Sequence, residues 1–450
     1  ARWRAAFAAA GLEPGRLPPE EAIRRFDASP LRDRMVAALE MWLFRSPAAD
    51  VWAVLRLTDP DPYRDAVRDA LVTGNKERVV ELARSPAALN QPTGFAAALG
   101  QHQRVPVELR REVLKVALRP RPGDLTLLMA LPNNQTDGAN DRVVWYRAAV
   151  AAQPQNLAAH VNLAAALFDS GNPDGAMATY QDALQLDPRL AAARHGVGHV
   201  LRARGDRDGA IAAFREAANL DPGLAETHHA LGNVLYGGGD VGGAIAAYRR
   251  AIELDPDNAA VHNNLGLALR DAGDPNAAVA AYRRAIELDP DNAAPHVNLG
   301  ALLCDIGKDY DGAIGAFRRA LALNPADVDA HYNLGNALRG KGDRGGAAAA
   351  YRRAIELDPR SARAHLGLGK VLHEAGDGKG AVAAFRQAIN LDPASADGHF
   401  SLGFALASAD DVEGAIAAYR EAARLSPPDA KVHFNLAANL ARKEDATGAV

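Results

Sequence analysis

Asparagine recurs at Asn162, Asn264, Asn298, Asn333 and Asn435 of a 450-residue sequence, with Asn233, Asn263 and Asn336 close beside that row. A carboxamide carries a donor and an acceptor on one planar group, so it can pair with both groups of a peptide bond. A row of such side chains could hold an extended polypeptide with little regard to its side chains. Tyr332, Phe400 and Phe434 lie next to the row and read as apolar pockets toward the C-terminal half. These eleven residues are the candidate peptide-binding set.

The other residue types with chemical potential lead to less. His195 and His199, four apart, share a helical face, and His229 repeats the position of His195 after 34 residues. Such a trio could hold a transition metal. No carboxylate or thiol stands ready to join it, so neither a metal nor any other cofactor is expected. Eight histidines (His160, His228, His262, His296, His331, His365, His399 and His433) recur at a fixed spacing and read as packing residues. If they are buried and neutral, acidification should destabilise the fold.

Catalytic signatures do not emerge. "GVGHVL" and "GLGKVL" contain Gly-x-Gly but lie inside helical stretches and follow no strand, whereas phosphate cradling needs free N–H groups at a helix start. "GKG" lacks the upstream glycine and Ser/Thr of a P-loop, and "HEAGD" lacks the second histidine of a zinc helix. The chain therefore reads as non-enzymatic. A net charge of −4 and a pI of 6.4 exclude a general electrostatic attraction to nucleic acid. Only 8 of the 51 basic residues are lysine, and the arginines are dispersed. Pairs such as Arg249–Arg250, Arg283–Arg284 and Arg352–Arg353 sit beside Glu253, Glu287 and Glu356 at the spacing of solvated helical ion pairs. Membrane insertion is not expected, since no apolar run approaches the roughly 18 to 20 residues of a spanning helix. Cys304, the single cysteine, fits a reducing compartment and a cytoplasmic location.

The elements that position these residues follow from a period. "YRRAIELDPDNAAVHNNLGLAL" at 248–269 returns 34 residues later with 18 of 22 positions unchanged. Proline marks the same period at Pro154, Pro188, Pro222, Pro256, Pro290, Pro325, Pro359, Pro393 and Pro427, with one step of 35 where "DIGKDYDGA" lengthens a loop. A fixed spacing of this length signals a solenoid whose repeats bury their apolar faces on one another. Within 259–292, Val261, Leu265, Leu269 and Ala272 share one face of a first helix. Gly273 ends it, Asp274–Pro275 caps the second, and Asp289–Pro290 ends that. Gly266, Ala278 and Ala285 allow close approach, while Tyr282 fills the space that remains.

The pattern His262, Leu265, Gly266, Leu269, Ala278, Tyr282, Ala285, Pro290 resembles the tetratricopeptide-repeat (TPR) signature. The resemblance implies an all-α, right-handed TPR superhelical solenoid with full repeats at 157–190, 191–224, 225–258, 259–292, 293–327, 328–361, 362–395 and 396–429. A ninth repeat starts at Ala430 and is cut at Val450, leaving an apolar face through which the chain could self-associate. Residues 123–156 read as a degenerate repeat in which "VVWYRAAVAAQP" copies the second helix and "LPNNQTDGAND" is an enlarged loop. Residues 1–122 lack the period and read as an irregular helical N-terminal domain, with helix starts at Ser29–Pro30, Asp61–Pro62 and Pro106 and all four tryptophans before residue 157.

Family geometry places the sixth repeat position on the concave surface, and the repeats are similar to those of O-GlcNAc transferases, where an asparagine ladder holds peptides. Asn264, Asn298 and Asn333 are three successive rungs; Gly196, Ala230, Gly367 and Ser401 interrupt the row elsewhere. The clamp by which some relatives grip a C-terminal carboxylate is absent, since the fifth position runs Val161, His195, His229, Asn263, Val297, Tyr332, Leu366, Phe400, Phe434. The chain also resembles the non-catalytic region of large bacterial serine/threonine kinases, through "RWRAAFAAAGL", "SPLRDRMVAALEMW" and "LTDPDPYRDAVRDAL". The start at Ala1 reads as that of a fragment. The expected function is a protein-interaction scaffold for extended segments. The alternative is the regulatory or substrate-recruiting arm of a kinase or, second, a glycosyltransferase whose catalytic domain lies outside the chain.

Overall fold

A computed structural model of the protein describes residues 49–103, 105–133 and 139–448, together with 21, 24, 36, 38–40, 43 and 44. Trp3, Trp42 and the Ser29–Pro30 helix start lie outside these residues. Among the described residues the chain is all-helical. It divides into two compact bodies, up to Pro222 and from Gly223.

The first body opens with α1 (Ala49–Thr58), α2 (Pro62–Val72), α3 (Lys76–Arg84), α4 (Thr93–Gln101), α5 (Val107–Leu118) and α6 (Leu125–Ala130). Asp61 caps α2 by accepting the backbone N–H groups of Tyr63 and Arg64, with Pro62 at the first helical position. Phe44, Val67, Leu71, Phe95, Leu99 and Val113 close one core. Leu114, Leu127 and Leu128 join Ala149 and Ala159 in a second, which carries the irregular helices onto α7 (Ala139–Ala152) and α8 (Leu157–Asp169). Within residues 123–156, α6 is only six residues long and α7 is fourteen.

From α8 onward hairpins follow at the sequence period: α8 with α9 (Pro173–Leu186), and α10 (Ala191–Ala203) with α11 (Arg207–Leu220). The second body continues with α12 (Ala225–Gly237) and α13 (Val241–Leu254), α14 (Ala259–Asp271) and α15 (Pro275–Leu288), and α16 (Ala293–Gly307) and α17 (Tyr310–Leu323). Then come α18 (Val328–Lys341) and α19 (Arg344–Leu357), α20 (Ala362–Glu374) and α21 (Gly378–Leu391), α22 (Ala396–Ser408) and α23 (Val412–Leu425), and α24 (Ala430–Gly448).

One backbone position turns every hairpin. Gly273 has φ +80, and Gly171, Gly205, Gly239, Gly342 and Gly376 repeat that left-handed geometry in their own repeats. Lys308 and Asp410 occupy the same position with φ 50 and 64, despite their side chains. Glu444 stands there in the last repeat, and α24 runs straight through it.

Within each hairpin from α10–α11 onward one aromatic ring packs on small residues. Phe214, Tyr248, Tyr282, Phe317, Tyr351, Phe385 and Tyr419 are among the largest fully buried side chains. Each faces a glycine of its own first helix: a Cβ on Gly266 would lie 2.5 Å from the Tyr282 ring. The expected closeness at Gly266, Ala278 and Ala285 is what the structure shows.

The periodic histidines differ from expectation. At His160, His262, His331, His365, His399 and His433 the ring Nε2 lies 2.8–3.2 Å from the carbonyl oxygen of the proline six residues earlier. Each Nε2–H therefore ties the start of a repeat to the end of the one before. Of these six only His160 is buried, so they brace the repeat ends rather than fill an apolar core.

Burial does push the imidazoles of His229 and His296 below their usual value. The unfolded chain then takes up protons before the folded one, and stability drops as pH falls through the unfolded value of about 6.5. Thermal melts between pH 7.5 and 5.5 should show a larger loss for the native chain than for a His229→Gln/His296→Gln variant. Equal losses would remove these two side chains from the explanation.

Candidate functional site

Successive first helices of the second body lie side by side, α12 against α14, α14 against α16, and on to α24. Their fifth, sixth and ninth positions lie along neighbouring helices, and Asn233, Asn263, Asn264 and Asn298 meet there.

The meeting is a hydrogen-bond chain rather than a row of independent rungs. Asn298 donates through Nδ2 to Asn263 Oδ1 at 2.9 Å. Asn263 donates to Asn264 Oδ1 at 3.4 Å. Asn264 spends both amide hydrogens, one on Asn233 Oδ1 at 3.0 Å and one on His229 Nε2 at 3.1 Å. Tyr248 donates its hydroxyl to the same Asn233 oxygen at 2.8 Å. Donation runs toward the N-terminus across three repeats, an arrangement in which each bond polarises the next. Because His229 accepts, its own hydrogen sits on Nδ1.

Spare capacity is consequently graded. Asn264 keeps only acceptor room on its carbonyl. Asn298 keeps one N–H and its whole carbonyl. Asn333 is half-buried on α18 and makes no side-chain hydrogen bond among the described residues, so both its donors and its acceptor are available. Asn336 gives its carbonyl to the Tyr351 hydroxyl at 2.7 Å. Asn435 bonds the carbonyl of Lys431 on its own helix at 2.8 Å. Asn162, in the first body, makes no side-chain bond among the described residues.

The ninth-position asparagines thus belong to the buried tyrosine beneath them. Where that position is Leu267 or Phe404, the corresponding hydroxyls of Tyr282 and Tyr419 are buried without a partner among the described residues. Two of the interruptions have a steric cause: a Cβ on Gly367 would lie 2.6 Å from the Tyr351 ring, and one on Gly196 would lie 2.1 Å from that of Tyr180.

Aromatic residues continue the surface toward the C-terminus. Tyr332 packs on Tyr351 with ring centroids 5.8 Å apart, and the Arg363 guanidinium stacks on it at 5.1 Å while pairing with Asp329. Phe400 rests on Tyr419 at 5.7 Å. Phe434 is 74% exposed, and Phe404, which the sequence reading did not select, is 47% exposed. Phe404 sits at the ninth position of its repeat, where the recurrence of Asn233 and Asn336 could have drawn attention to it. The arginine–glutamate pairs Arg250–Glu253, Arg284–Glu287 and Arg353–Glu356 form at 2.7–3.2 Å on the exposed second helices and contribute little.

No helix among the described residues is long and apolar enough to cross a membrane. No group of three or more metal-ligating side chains occurs among them.

Comparison with known proteins is consistent in kind. Tetratricopeptide-repeat models match residues 229–293, 307–359, 335–396 and 374–430, a TPR repeat model matches 198–239, and a further tetratricopeptide model matches 143–196. No curated protein matches the chain. Among solved structures it is similar to the MamA protein, at 29% identity over 38% of this chain and 94% of that one, with a TM-score of 0.36. It is also similar to YrrB, described as a TPR protein with an unusual peptide-binding site, at 23% identity over 41% and 95%, TM-score 0.37. A tetratricopeptide repeat protein from Parabacteroides merdae matches at 16% identity over 56% and 98%, TM-score 0.45.

Proposed function

Because this chain belongs to the tetratricopeptide-repeat proteins, we propose that it is a protein-interaction scaffold that holds extended peptide segments along the first helices of repeats 259–361. The observation that carries this reading is the graded spare capacity of the amides. Asn333 and Asn298 offer donors and acceptors that the fold does not use, on a half-buried surface where water competes less well with a peptide's hydrogen bonds. Asn263, which accepts from Asn298, ties that amide to Asn264 and through it to Asn233. Tyr332 begins the apolar continuation that Phe400, Phe404 and Phe434 extend, so the backbone is gripped at one end and side chains are accommodated at the other. A kinase or, second, a glycosyltransferase joined to the chain would recruit substrates through the same groove.

The test is selection of a displayed peptide library on the full chain, repeated with an Asn298→Ala/Asn333→Ala variant. Each lost hydrogen bond is worth about 0.5–1.5 kcal/mol, so enriched peptides should weaken by about one order of magnitude. Asn336→Ala should act chiefly on stability, through the stranded Tyr351 hydroxyl. Peptides that bind the double variant unchanged would move the site to the aromatic end. A library that yields nothing would overturn the reading.

A further inference from the structure

The second repeat differs from the others at the two positions that flank the buried aromatic ring. The fifth and ninth positions there are His195 and His199, one turn apart on α10. In the following repeats the same pair reads His229 and Asn233, Asn263 and Leu267, Val297 and Ala301, Tyr332 and Asn336, Leu366 and Lys370, Phe400 and Phe404. Only here, among the repeats of the chain, do two imidazoles occupy it.

The two rings converge. His195 Nε2 and His199 Nε2 are 3.0 Å apart, with ring centroids at 4.6 Å and planes at 75°. The ring beneath them is Phe214, not tyrosine, and it lies 5.5 Å from His195 and 5.1 Å from His199. A phenylalanine offers no hydroxyl of the kind that Tyr248 gives Asn233, so the ninth-position side chain turns to its neighbour on the helix. Gly198 lets Phe214 come this close, since a Cβ there would lie 2.6 Å from the ring. Both imidazoles are therefore held in orientation by packing before any ligand arrives.

The spacing has a chemical meaning. Two metal–nitrogen bonds of about 2.1 Å at a right angle put their nitrogens about 3.0 Å apart, whereas a tetrahedral angle puts them about 3.4 Å apart. We propose that His195 and His199 form a bidentate site for a divalent transition metal with cis ligand positions, copper(II) or nickel(II) rather than zinc. Both nitrogens bind through their lone pairs. The hydrogen now between them moves to Nδ1 of the same ring, so the two neutral imidazoles ligate without net release of a proton. Water completes the coordination sphere. The order of affinity follows the general preference of nitrogen sites, copper above nickel and zinc, and the right-angle bite widens the gap against zinc. Its residues lie outside 259–361, and the proposal does not rest on that reading.

The experiment is titration of the full, chelator-treated chain with copper(II), nickel(II) and zinc(II) chloride by calorimetry, with electron paramagnetic resonance of the copper form. His195→Ala, His199→Ala and, as a control, His262→Ala are measured alongside, each checked for an intact metal-free melt. The expected result is one copper per chain with a two-nitrogen signature, weakened at least about tenfold in either His195→Ala or His199→Ala and unchanged in His262→Ala. Copper should also raise the melting temperature of the native chain and not of His199→Ala. Binding that survives both single variants, or no copper binding by the native chain, overturns the site. Zinc binding as tight as copper overturns the geometry assigned to it.

Discussion

Replacing Arg68 by alanine is expected to cost the N-terminal body about 3–5 kcal/mol, the range found when one partner of a buried ion pair is removed. The Arg68 side chain is completely buried, and so, very nearly, is that of Glu40, 28 residues earlier. Arg68 donates through Nε to Glu40 Oε1 at 3.0 Å and pairs with the same oxygen through Nη2. It also reaches Asp65 Oδ1 at 2.9 Å, Asp59 Oδ2 at 2.6 Å and the Asp59 carbonyl at 2.9 Å. Burial pushes the Glu40 carboxyl above its usual range despite this cation, and Glu40 Oε2 has no hydrogen-bond partner among the described residues. Without Arg68 the carboxylate would be stranded in a core built by Leu39, Leu43 and Leu55. All four tryptophans precede residue 157, so their fluorescence reports this body selectively during urea unfolding. The midpoint of the fluorescence transition should fall sharply. A double variant, Glu40→Leu/Arg68→Met, should recover most of the loss, because apolar groups of similar volume often replace a buried pair without penalty. A loss under about 1 kcal/mol for Arg68→Ala would show that the pair behaves as a surface contact.

That network marks where sequence reading ends. Glu40 and Arg68 belong to no period, and nothing local links residues 28 apart, so their pairing emerges only from the packing of α2 on the segment before it. The repeats are the opposite case. Gly273, Asp274, Pro275, Tyr282 and Pro290 each do a job set by local backbone geometry or by one neighbouring helix, and recurrence exposes all of them. The amide surface lies between these cases. The positions of Asn264, Asn298 and Asn333 could be read, but their free capacity could not, because it depends on side chains of the adjacent repeat. Part of that was written in the sequence all the same. Asn233 and Asn336 each stand fifteen residues before a tyrosine, and each of the six bonded histidines follows its proline by six. A reading of residue pairs across the period, rather than of single columns, would have separated the asparagines that brace tyrosines from those left open.

Tyr351 is the side chain on which two repeats meet, and its truncation should divide the second body. The ring is fully buried. It sits against Gly335 of its own repeat, where a Cβ would come within 2.7 Å, and against Gly367 of the next, where one would come within 2.6 Å. Ile314, Phe317, Leu338 and Val371 share its core, so residues from three repeats converge there. Tyr351→Ala removes this contact on both sides and should cost about 3–5 kcal/mol, as large aromatic truncations do. In a repeat array stability is a sum of repeat and nearest-neighbour terms, so the loss falls locally on repeat 328–361 and its contacts with its neighbours. Urea unfolding followed by far-UV circular dichroism should then split, with repeats from 362 onward melting before those of 223–361. Tyr351→Phe keeps the ring, strands only the Asn336 carbonyl, and should cost about 1 kcal/mol with a single transition. Peptides selected on Asn298 and Asn333 should still bind Tyr351→Ala at urea concentrations below the second step, since their surface stays folded. One transition, shifted as a whole, would mean that the repeats are coupled more widely than through neighbours, and that a partner bound at 259–361 is sensed throughout the second body.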